Sequence, residues 1–167
     1  GYNDLFIANG FPRDITDRDF GMFRSKAWAT TSKADIMKQV PEVKIHNYLF
    51  KNNADLTFSD MSEKWGLSAP TFSNGAAYAD FDLDGDLDLV INNINDEASV
   101  YRNNSRELNM EKSHYLNVEL QGDSLNRNGL GAWLEIYYDQ GKKQVWENSP
   151  YRGYLSTVES KAHFGLG

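Results

Sequence analysis

The sequence predicts an all-β protein: small antiparallel β-units in series, interrupted by a helical insertion and followed by a second, small β-rich region. Three observations carry this prediction. Short runs rich in β-branched and aromatic residues, "DLFIANG", "NYLFKN", "AAYADF", "LDLVINN" and "ASVYRN", are bounded by Asn, Asp and Gly, the punctuation of strands between turns. The chain also repeats itself. Its most acidic stretch, "ADFDLDGDLDLV" at 79–90, alternates acidic residues with others around a single Gly.

The repetition sets the first elements. Laying "GYNDLFIANG" (1–10) over "GDLDLVINNI" (85–94) aligns Gly1 with Gly85, Asp4 with Asp88, Leu5 with Leu89, Ile7 with Ile91 and Asn9 with Asn93, an offset of 84. "YLFKNN" (48–53) over "SVYRNN" (99–104) aligns a basic residue and two Asn at an offset of 51. The order is the same in both copies, so the sequence reads as two copies of one β-meander, with 33 extra residues in the first between Gly10 and Asn47. Within this insertion, about 11–46, "TDRDFGMFRSKAWA" and "TSKADIMKQV" read as helices. Thr16 and Ser32 are the expected N-caps, acidic residues follow in each first turn, and Pro41 stops the second helix. The insertion is expected at the surface, with its Met and aromatic residues as a packing face.

Composition bounds the function. The 167 residues are 40% hydrophobic and 13% aromatic, enough to build a core. A net charge of −7 argues against a broadly basic nucleic-acid or membrane-surface binder and suits a cation partner. No cysteine is present, so disulfides and thiolate metal ligands are excluded, and no apolar run reaches the roughly 18 residues of a membrane span. "GYNDLFIANG" reads as the interior of a motif and not as a natural start.

The acidic stretch carries the chemistry. Asp80, Asp82, Asp84 and Asp88 stand at loop positions 1, 3, 5 and 9, with Gly85 at position 6, where a sharp turn needs positive φ or close backbone approach. Alternate carboxylates in a tightly wound loop converge on one point, and a hard cation such as Ca²⁺ takes oxygen ligands there. Asp86 at position 7 would give its backbone carbonyl and leave its side chain in solvent. Position 12 is Ile91 and not the Glu of a helix-loop-helix site, and "LDLVINN" alternates as a strand. The cation site is therefore expected between two strands, with Leu83, Leu87 and Leu89 anchoring them. Zinc and copper fit poorly without thiolates or a His pair, and magnesium fits less well than calcium. Without a cation, the close carboxylates would raise one another's pKa.

These residues carry a resemblance. "DFDLDGDLDLVINN", with "NYLFKNN" and "FSDMSEKWGL" before it and "VYRNN" after it, resembles the FG-GAP or VCBS repeat of β-propellers, also found in integrin alpha chains. From about Leu108, "HYLNVELQG", "NRNGLGAWLEIYYDQGKKQVWE" and "RGYLSTVESKAHFGLG" resemble the ASPIC/UnbV domain, which follows such repeats in cartilage-acidic-protein-like members. The resemblance implies partial propeller blades over 1–107 and a truncated ASPIC/UnbV domain over 108–167. It implies that Asp80, Asp82, Asp84, Asp86 through its carbonyl, and Asp88 fall on calcium-binding positions. Asp4 falls on the last ligand position of an earlier, incomplete loop that is not expected to bind calcium, and the resemblance implies that the C-terminal domain continues past "HFGLG", so both ends read as cut from a longer protein.

The C-terminal region has its own signals. "WLEIYY" and "KQVWEN" flank Asp139-Gln140-Gly141-Lys142 as a hairpin, and "NRNGLGA" (126–132) reads as a tight turn. It is no phosphate cradle, because no helix and no Lys-Ser or Lys-Thr pair follow. Arg127, Arg152 and Tyr154 read either as a polar recognition surface or as exposed loop residues over a packed aromatic. His46, His114 and His163 lie in no catalytic motif, and a metal cage accounts for every member of the Asp cluster, so the fragment is read as non-catalytic. The expected function is a calcium-binding, extracytoplasmic interaction or adhesion module at the cell surface or secreted, with a protein or glycan partner. The alternative is an accessory part of an extracellular polysaccharide-processing enzyme whose catalytic domain lies outside this chain.

Overall fold

A computed structural model describes residues 2–111 and 113–167. The chain forms two compact units, one of Asp4–Asn74 with Asn93–Glu97, the other built mainly of Gly75–Asn92 and Ala98–Gly167. The boundary at 107/108 drawn from the sequence falls inside the latter.

The first unit holds β1 (Leu5–Ile7), α1 (Arg18–Ala27), α2 (Lys33–Lys38), β2 (Ile45–His46), β3 (Tyr48–Asn52), β4 (Phe58–Asp60) and β5 (Pro70–Thr71). β1, β3 and β4 make one sheet in that order, and β2 pairs with β5. Both predicted helices form. The cap of α1 is Asp17, whose carboxylate accepts the Phe20 amide at 2.7 Å, and not Thr16, whose hydroxyl turns back to Asp14 at 2.6 Å. Ser32 caps α2, accepting the Asp35 amide at 3.2 Å. Phe20, Ala27, Ile36 and Val40 close a small buried cluster, so aliphatic positions and one aromatic form the packing face. Met22, Phe23, Trp28 and Met37 are exposed, contrary to expectation.

Beyond this cluster and the buried Leu67, the unit's interior is polar. Asn47, Thr71, Ser73 and Asn93 are all buried, and burial is tolerable because they satisfy one another. Asn47 donates to the hydroxyls of Thr71 and Ser73 at 3.2 and 2.9 Å, and the Ser73 hydroxyl donates to Asn93 Oδ1 at 2.8 Å.

The second unit contains most of β6 (Ser73–Ala79) and β7 (Asp88–Asn93), with β8 (Ser99–Tyr101), α3 (Ser105–Leu108), β9 (Tyr115–Glu119), β10 (Trp133–Tyr138), β11 (Lys142–Glu147) and β12 (Lys161–Gly165). β6, β7 and β8 form a sheet in that order, β9 pairs with β12, and β10 and β11 form the expected hairpin. Gln140 and Gly141 turn that hairpin with φ of 59° and 99°. Ile91, Ala162 and Phe164 are its buried apolar residues.

All five strand-like runs of the repeated region become strands, and their pairing reproduces the repeat. Leu5, Phe6 and Ile7 face Phe50, Leu49 and Tyr48. Under the offsets of 84 and 51 these pairs become Leu89–Tyr101, Val90–Val100 and Ile91–Ser99, which are the pairs observed between β7 and β8. Side chains follow the same rule. Asp4 Oδ1 accepts the Asn52 amide at 2.8 Å, and Asp88 Oδ1 accepts the Asn103 amide at 2.8 Å. Asn52 and Asn103 in turn accept the amides two residues on, at 2.9 and 3.0 Å. The molecule is mostly β with few helices, and among the described residues its sheets have two or three strands and close no ring.

Candidate metal centre

The acidic loop leaves β6 at Ala79 and enters β7 at Asp88. It is wound by its own carboxylates, because short acidic side chains bond nearby amides readily. Asp80 accepts the amides of Asp84 and Gly85, both at 3.1 Å. Asp82 Oδ1 accepts the Asp84 amide at 3.3 Å, and Asp84 Oδ1 accepts the Asp86 amide at 2.9 Å. Leu83 and Gly85 take left-handed φ of 61° and 94°. Gly85 has a second reason to be Gly, since a Cβ there would lie 2.1 Å from the Tyr115 ring and 2.7 Å from the Arg106 guanidinium. Leu83 is 79% exposed and anchors nothing, because the turn points it outward.

This winding brings one carboxylate oxygen each from Asp80, Asp82 and Asp84 within 4.8 Å of one another. Oxygens bound to one Ca²⁺ at about 2.3–2.6 Å lie at most about 5 Å apart, so the spacing fits a single hard cation. The donors are all oxygen, which matches that class of ion.

The other two predicted residues are placed differently. The Asp86 side chain is buried and accepts the Arg106 amide at 2.6 Å; the chain after β8 folds back over it, so it is not in solvent as expected. Asp88 is also buried and lies outside the three-carboxylate group. Its two oxygens accept the amides of Phe81 at 3.0 Å and Asn103 at 2.8 Å, stapling the loop to the end of β8. Each oxygen keeps a further lone pair.

Two arginines complete the site, and the sequence reading missed both. Arg102 places Nε 2.6 Å from Asp82 and Nη2 3.4 Å from Asp84 and 2.5 Å from Glu107. The amide of Asp86, followed by the Arg102 guanidinium, holds the Asp84 carboxyl below the usual carboxylate range. The expected mutual elevation is therefore reversed at Asp84: fixed donors outweigh burial. Arg106 donates to the Asp84 carbonyl and stacks over Tyr115 at 5.0 Å. Tyr115 stacks on His163 at 5.5 Å, and His163 Nδ1 lies 2.9 Å from Asn117 Oδ1. Burial pushes the His163 imidazole below its ordinary value. The signal for Arg102 lay in the repeated "KNN" and "RNN", which put a basic residue just before the Asn whose amide binds the loop's last Asp.

The C-terminal strands carry the family signal. Residues 122–167 match the model of the family described as ASPIC and UnbV. No curated protein and no solved structure matches the chain. The ASPIC/UnbV segment thus holds β10, β11 and β12 with the "NRNGLGA" turn, whereas β9 and Tyr115 precede it. Within it Asn148 is buried and donates to the carbonyls of Asn128 and Gly129 at 2.6 and 3.0 Å, fixing that turn against the end of β11. Arg152 donates to Tyr78 Oη at 2.8 Å and to the Tyr151 carbonyl at 2.9 Å, so it braces its own surroundings. Arg127 and Tyr154 are exposed, and Tyr154 is not the packed aromatic of the second reading.

Proposed function

We propose that this chain is a calcium-binding, non-catalytic interaction module that works outside the cytoplasm, with FG-GAP/VCBS-type repeats that present loops to a protein or glycan. The observation that carries the reading is the convergence of Asp80, Asp82 and Asp84 on one point in a turn that requires Gly85. The ligand set is those three carboxylates with the Asp86 carbonyl and Asp88, and the ion's role is structural: it neutralises the loop and joins β6 to β7. The extracytoplasmic location follows from calcium supply, since cytosolic calcium is too scarce for a weak structural site.

A ligand that binds only the folded state stabilises it by mass action, about 2.7 kcal/mol at one hundred times its Kd. Thermal melts in excess chelator and in millimolar calcium are expected to differ by several degrees, and Asp80→Asn with Asp82→Asn is expected to abolish the difference. Identical midpoints for the unsubstituted protein would sink the proposal.

A further inference from the structure

The carboxylate oxygens of the acidic loop fall into two sets. Both oxygens of Asp80, Oδ1 of Asp82 and Oδ1 of Asp84 accept backbone amides. Oδ2 of Asp82 and Oδ2 of Asp84 accept none of these, and Arg102 holds both, at 2.6 and 3.4 Å. The Nη2 that reaches Asp84 also lies 2.5 Å from Glu107. The guanidinium therefore sits on the two oxygens of Asp82 and Asp84 that accept no backbone amide of the loop, and it occupies lone pairs that a ligand to these carboxylates would use.

We infer that Arg102 is a tethered cation that competes with a metal ion for Asp82 and Asp84, and that metal uptake moves its guanidinium away from them toward Glu107. The inference rests on the calcium reading above and adds a residue that sets the affinity of the site. A divalent ion bound to those same oxygens would share them with the guanidinium, and two like charges on shared ligands repel even near a surface. The displacement is easy because Arg102 is half exposed, and exposed ion pairs are individually weak. Glu107, also half exposed, lies beyond the loop and keeps the displaced charge paired.

The test uses the full chain and calcium alone as probe. Calorimetric titration is expected to show calcium binding about three- to tenfold tighter in Arg102→Gln than in the unsubstituted protein, the loss of one or two exposed pairs expressed as affinity. Glu107→Gln, which removes the landing partner, is expected to bind calcium more weakly. In the unsubstituted protein the Arg102 Nε–H resonance is expected to shift and to exchange faster with water at saturating calcium, a change that a merely structural arginine would not show. Equal affinity in Arg102→Gln, or an Nε–H signal unmoved at saturation, overturns the competition while leaving calcium binding intact. Absence of binding heat in every variant overturns the calcium reading and the competition with it.

Discussion

Gly85 joins two constraints that have separate costs. Its φ of 94° lies where a side chain is strained by about 1 kcal/mol. A Cβ would also stand 2.1 Å from a Tyr115 ring that is itself held between Arg106 and His163, so the ring cannot simply swing away. Gly141 isolates the first cost: its φ is 99°, and nothing lies within 4 Å of the Cβ it would gain. Gly141→Ala is expected to destabilise by about 1 kcal/mol and Gly85→Ala by about 2–4 kcal/mol in urea unfolding. Equal losses would mean that Tyr115 yields freely and that the contact is not a packing constraint. The need for Gly at this position was legible in the sequence; the contact with Tyr115, thirty residues on, was not, because no periodicity announces a contact between a turn and a distant strand.

The paired copies of the β-unit allow one hydrogen bond to be weighed in two surroundings. Asp4 and Asp88 accept equivalent amides at the same 2.8 Å, but Asp4 is exposed and Asp88 is 3% exposed. An unmade bond is costly only where water cannot replace it. Asp88→Ala is therefore expected to cost about 2–3 kcal/mol and to speed amide exchange at Phe81 and Asn103, whereas Asp4→Ala should cost under about 1 kcal/mol and affect Asn52 alone. Equal effects would show that burial does not govern these staples. Strands with clear β-branched and aromatic runs, such as β3, β7 and β10, were readable in advance. β4 was not, since its three residues are all exposed and show no alternation; β2 and β5, with two residues each, leave no pattern at all. The cap of α1 was misread for a related reason: choosing between Thr16 and Asp17 depends on Asp14, which captures the threonine hydroxyl. Within the site, the three converging carboxylates were legible from spacing, while Arg102, Arg106 and the burial of Asp86 depend on how the chain returns after β8.

The two compact units make the proposed cation effect spatially selective. The acidic loop belongs to the unit of 75–92 and 98–167, and among the described residues no comparable carboxylate group occurs elsewhere. The loop's bonds run onward within that unit, from Asp88 to the amide after β8, from Asp86 to α3, and from Arg106 and Gly85 to Tyr115 on β9. Ion binding stabilises only the openings that break the site, and regions open with their own free energies. At calcium one hundred times its Kd, amide exchange in β7, β8 and the start of β9 is therefore expected to slow by up to about a hundredfold, the mass-action limit. Exchange in α1, α2 and β3, whose bonds do not include the loop, should stay unchanged. Hydrogen exchange followed residue by residue, with and without chelator, measures this directly. Equal slowing in both units would mean that they open together as one cooperative body, and no slowing in β7 to β9 would remove the loop as the place where calcium acts.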